Sequence, residues 1–172
     1  MQMSLTDREL WTLIHGMIFG SLFLLGFAGG LEGLYSLRPR LLSDEGVRDR
    51  VRRLKIGVVA MAVAAWGTVI TGTWIVYPWY REDVADSPRS LLLADPNLEE
   101  WHHFGMEWKE HVAWASPFLA TSAFLLVLYY GPRLTARPWL RTATIVMLVG
   151  GFAAAVVGGA FGAFINKVAP IS

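Results

Sequence analysis

Most of the chemical potential of this 172-residue chain lies in four histidines, His15, His102, His103 and His111. His15 interrupts a charge-free apolar run. An ionisable side chain in such a run marks a functional candidate, because lipid makes it costly to keep there without a partner or a task. The other three lie in Asp95-Pro-Asn-Leu-Glu-Glu-Trp-His-His-Phe-Gly-Met-Glu-Trp-Lys-Glu-His111. If a helix runs unbroken through Gly105, then Glu100, His103, Glu107, His111 and Trp114 share one stripe, bordered by Glu110. The i, i+4, i+8 spacing keeps His103, Glu107 and His111 on one face.

Several chemistries use such residues. Two neutral imidazoles from different helices can clamp the iron of a haem b from opposite faces. His15 and His111 are the preferred axial pair, with His103 or His102 as replacements and Met106 as a weaker candidate. His15 lies about a turn deeper than His111, a gap that helix tilt or a kink at Pro117 would close. Phe19, Leu22, Trp74 and Trp114 would wall the ring, Gly26 would help admit it, and Thr71, Thr73, Tyr77 or Asn166 would reach its propionates. Alternatively, His103, Glu107, Glu110 and His111 bind bare zinc, manganese or non-haem iron, metals that suit mixed imidazole and carboxylate ligands. His15 could also ligate the magnesium of a chlorophyll-type pigment. In a last reading the chain holds no cofactor, and its histidines serve partner contacts or quinol protonation. Glu99-x-x-His102 and Glu100-x-x-His103 overlap on one stretch, and a ferritin-type diiron centre needs that motif on two helices. No Ser-His-Asp set, P-loop or zinc-protease signature stands out.

The elements that must position these residues follow from four charge-free runs, Leu10–Leu31, Ile56–Tyr80, Val112–Pro132 and Thr142–Asn166. About 20 such residues cross a hydrocarbon core. The expected architecture is an all-α, integral-membrane four-helix bundle in one domain, with spans over about 10–36, 56–80, 111–131 and 140–166. The connector 81–110 should carry an interfacial helix that starts at Asp95-Pro96 and leads into the third span. The first run is too long, and lacks the positive leader, for a cleavable signal. On the first helix, His15, Phe19, Leu22, Gly26, Gly29 and Gly33 fall within about 80° of one another and should face inward, with Phe23 just beyond the edge. Gly158-x-x-x-Gly162 is a spacing that lets backbones approach closely in lipid.

Composition agrees: 54% of residues are apolar, 17% are charged and mean hydropathy is +0.42. The net charge of +1 excludes a basic nucleic-acid binder. The absence of cysteine excludes a disulfide scaffold, Cys-ligated zinc, iron–sulfur clusters and covalently attached haem. The near-zero total conceals two unlike faces. The first and third connectors, with their flanks, hold ten basic and four acidic residues; the other side holds five basic, ten acidic and all four histidines. The positive-inside rule places the basic connectors in the cytoplasm, so both termini and the connector 81–110 face the periplasm across the inner membrane.

With its short-looped spans, glycine-rich helices and a histidine near the end of a span, as in His15-Gly-Met-Ile-Phe-Gly20 and Glu107-Trp-Lys-Glu-His111, the chain resembles the four-helix b-type cytochrome subunits that anchor respiratory or photosynthetic complexes. The resemblance implies electron transfer between a quinone pool and a periplasmic cytochrome, with other membrane subunits as partners. The absence of histidine from the cytoplasmic half argues against a second haem there. Protease added to spheroplasts should cut the 81–110 connector; protection of that connector would reverse the orientation.

Overall fold

A computed structural model of the chain describes residues 5–37 and 43–169. Arg38 and Arg40, counted above in the first connector, lie outside them. The described residues are helical, with no strand among them. Helix α1 is Asp7–Ser36, α2 Asp44–Tyr80, α3 Pro88–Ala94, α4 Trp101–Leu134 and α5 Pro138–Val168. All but α3 are long and apolar enough to cross a bilayer. Their polar extensions carry them past the apolar runs; α2 begins at Asp44, where Ser43 Oγ accepts from Gly46 N at 3.1 Å.

Successive long helices pack side by side, α1 on α2, α2 on α4 and α4 on α5, with a smaller contact between α1 and α5. In lipid no hydrophobic force drives helices together, so close backbone approach has to do so. A Cβ on Gly26 would stand 2.5 Å from Met61 N, and one on Gly57 would stand 2.8 Å from Gly30 N. A Cβ on Gly33 would meet Leu54 Cβ at 3.0 Å. Towards the other end of this seam the roles swap: Phe19 lies against Gly67 and His15 against Gly72. Glycines on one helix therefore receive side chains or backbone from the other along the whole contact.

The main apolar core occupies the end of the bundle with the basic connectors, around Leu34, Leu54, Val58, Met61, Ala123, Val127 and Leu148. Phe152 of α5 stacks on Phe27 at 4.0 Å and completes it against α1. At this end Arg50 of α2 donates to Ser36 O and Arg141 of α5 donates to Leu37 O, covering carbonyls that the end of α1 leaves without helical partners. A smaller cluster of Tyr80, Leu92, Met106, Ile165 and Ala169 closes the opposite end.

Three helices depart from α geometry, all at that opposite end. Ile14–Ile18 in α1, Gly72–Val76 in α2 and Trp101–Met106 at the start of α4 are π-helical turns. Each contains one glycine, and π turns recur at functional sites because they re-aim side chains. The turn in α1 rotates His15 out of register with the residues after it. The inward face consequently runs through Phe19, Phe23, Gly26, Gly30 and Gly33, while Leu22, expected to line it, is exposed.

The connector differs from the expected single helix. Its helix is α3, capped by Ser87, whose hydroxyl accepts from Ser90 N at 3.2 Å. Asp95, expected to cap a helix, instead forms a tight turn by accepting from Asn97 N at 2.9 Å. The chain enters helix again at Glu99 and runs on through Gly105 into the third span.

Gly57→Val should lower the unfolding free energy of the detergent-solubilised protein by about 1–3 kcal/mol. Gly16→Ala, whose Cβ would meet nothing within 4 Å, should leave the unfolding temperature unchanged. Equal effects would remove the seam from its central role.

Candidate functional site

The histidine end of the bundle holds a polar zone between the two apolar clusters. From α1, His15 Nδ1 is 3.1 Å from Thr71 Oγ1 of α2. The Thr71 hydroxyl donates to Gly67 O at 2.7 Å, so its oxygen accepts from His15 Nδ1. With Nδ1 as donor, a neutral His15 keeps Nε2 as its basic nitrogen, the arrangement of a ligating or proton-accepting histidine.

Helix α4 contributes Lys109 and Glu110, which turn to different neighbours. Lys109 lies on the glycine face of α5: a Cβ on Gly162 would stand 3.2 Å from its Cε and 3.4 Å from its Nζ. His15 lies within the field of its ammonium. Lys109 has no ion pair or hydrogen bond among the described residues. Glu110 faces α2, where the Tyr77 hydroxyl is turned to its carboxylate, and its Oε1 is buried without a hydrogen-bond partner. A buried acceptor in that state carries a desolvation cost that persists only where something else offsets it.

Nearer the connector, Tyr80 Oη and His102 Nδ1 share a 2.8 Å hydrogen bond, and both residues are almost fully buried. His102, a replacement axial ligand in the sequence reading, lies within the π turn and is buried. Its ring is 5.2 Å from that of His103, which is exposed. Glu107 pairs with Arg81 at 2.6 Å, and Arg8 pairs with Glu82 at 2.9 Å, tying α1 and α4 to the end of α2 and the connector.

The remaining sequence candidates fall outside this zone or into packing. His111 is exposed and donates Nδ1–H to Glu107 O at 2.7 Å. Trp74 and Trp114 form an edge-to-face pair at 6.2 Å, with Trp74 largely exposed. Met106 belongs to the smaller apolar cluster, and Asn166 is exposed. The groove at Gly26, read as room for a flat macrocycle, is filled by the backbone of α2. The stripe of His103, Glu107 and His111 does not converge. Among the described residues no group of three or more His, Cys, Asp or Glu is arranged to hold a metal ion.

Lys109 and Tyr80 escaped sequence reading. Lys109-Glu110-His111 did carry a signal, because three consecutive helical residues sweep about 200° of the helix surface. In a bundle they cannot all point outward.

Tyr80→Phe leaves His102 Nδ1 buried without its partner and should cost about 1–3 kcal/mol of stability. Arg53→Ala, which breaks an exposed i, i+4 pair with Asp49, should cost under about 0.5 kcal/mol. Thermal unfolding of both variants in one detergent measures the difference.

No protein family, curated protein or solved structure matches this chain.

Proposed function

We propose that this chain is an integral-membrane subunit of an electron-transfer complex and handles protons at the histidine end of its bundle, in contact with a quinol. The observation that carries this reading is the inward turn of Lys109 and Glu110 towards different helices, level with His15. Intramembrane ionisable residues of this kind mark substrate and proton pathways. Quinol oxidation releases two protons with its two electrons. His15 Nε2 and the Glu110 carboxylate are the acceptors on offer, the Lys109 ammonium stabilises the anion formed as the first proton leaves, and the electrons pass to a redox centre of a partner subunit. From Glu110 the way out runs past Tyr77, whose ring stacks on that of Tyr80 at 6.2 Å, to the Tyr80–His102 pair beside the connector. The charge asymmetry supports a periplasmic position for this end at the inner membrane, where its acidic surface suits a basic soluble cytochrome.

A second reading, one haem b on His15, is favoured by the engagement of Nδ1 with Thr71, which leaves Nε2 as the nitrogen to ligate. Of the candidate second ligands, His111 and His103 are exposed, and His102 is held through Nδ1 by the Tyr80 hydroxyl.

Titration of the purified protein with a short-chain benzoquinone, followed by tryptophan fluorescence, should saturate. Glu110→Gln and Lys109→Met should each weaken binding about ten-fold, the loss of one charge-assisted hydrogen bond. Variants that keep the wild-type unfolding temperature and titrate as wild type would sink the proton reading. A b-type band in the reduced-minus-oxidised spectrum, abolished by His15→Ala, would replace it with the haem reading.

A further inference from the structure

Independently of that site, we infer that the groove between the π turn of α4 and helix α5 binds the ammonium headgroup of a zwitterionic phospholipid. The groove has a volume of about 250 Å³ and is lined by Asn97, Glu100, Trp101, Phe104, Gly105 and Phe161. Its walls are aromatic on both helices. Phe104 meets Phe161 edge-to-face at 5.9 Å, and Trp101 lies against Phe164 at 5.7 Å. Trp108 extends the wall, stacked on Phe104 at 6.0 Å.

The floor is open because residue 105 is glycine. A Cβ there would sit 3.4 Å from Trp101 and 3.5 Å from Phe161, so any longer side chain would occupy the space between the rings. Trp101, Phe104 and Gly105, at positions i, i+3 and i+4, lie on the same side of α4. At the mouth stands Glu100, exposed, its side chain making no capping hydrogen bond. The Asn97 amide is engaged by Asp95 Oδ1 at 3.0 Å, which leaves Glu100 as the charge of the site. No basic residue lines the groove.

Aromatic faces with one carboxylate and no cation of their own recognise an ammonium group, whose charge is attracted by the ring faces. The groove opens at the end of a spanning helix, among tryptophan and phenylalanine at the level where aromatic belts meet lipid headgroups. The ammonium within reach there is that of phosphatidylcholine or phosphatidylethanolamine. An anionic headgroup would meet Glu100 with like charge.

The test is native mass spectrometry of the full chain, released from micelles containing phosphatidylcholine, phosphatidylethanolamine or phosphatidylglycerol with identical acyl chains. One zwitterionic lipid should remain bound, and phosphatidylglycerol should not. Glu100→Gln should reduce retention about five-fold, and Gly105→Leu should abolish it. Tetramethylammonium chloride should displace the lipid from the wild-type protein where equal sodium chloride does not, a measurement that needs no variant to fold. Equal retention of the three headgroups, variants that behave as wild type, or equal displacement by the two salts would each overturn the assignment.

Discussion

Everything in this bundle depends on how closely two backbones approach at Gly26, Gly30 and Gly57. Van der Waals contact is short-ranged, and in lipid it is the main force holding apolar helices together. Glycine permits the approach. Once α1 and α2 lie that close, the rest of the seam is determined. Phe19 has to dock on Gly67 and His15 on Gly72, because only glycines leave room for rings at such a separation. The seam thus does two things with one device. At the basic end glycines of α1 admit the backbone and side chains of α2, and at the histidine end glycines of α2 admit the rings of α1.

The division of the bundle follows from this. Where backbones touch, little space remains for polar groups, and the main core is correspondingly apolar. Where rings separate the helices, side chains with charge find room. His15, Lys109, Glu110 and Tyr77 gather at that end. The second apolar cluster and the ion pairs Arg81–Glu107 and Arg8–Glu82 then close it over. Each of those pairs is half-exposed and contributes little stability alone. Their effect is to hold the connector over the polar zone.

Much of this was legible in the residues. The four spans follow from charge-free runs bounded by charged residues, since hydrocarbon thickness dictates their length. The importance of Gly26 and its neighbours was legible as spacing, though not their partners. What could not be read is the set of π turns. An α period of 3.6 carries Leu22 inwards and Phe23 to the edge; the extra residue at Ile14–Ile18 breaks the register between His15 and that face, and Phe23 is the one buried. The burial of His102 within its own π turn was likewise not legible. Glu110 stood out in the sequence as a metal-ligand candidate and Lys109 did not stand out at all; both lie on the helix that leads into the third span, partly buried in the bundle.

The π turns have a consequence for how such a protein can change. A π turn contains one residue more than the α turn it replaces, so a single deletion restores α geometry and rotates everything beyond it by about 100°. The backbone-to-backbone part of the seam, Gly26 to Gly33 against Leu54 to Met61, lies beyond the turns of α1 and α2 and would keep its register. One half of the molecule is therefore fixed by backbone contact, whereas the other can be re-aimed one residue at a time, with fresh side chains turned inwards at each step. Selection can revise the chemistry at this end without renegotiating the fold.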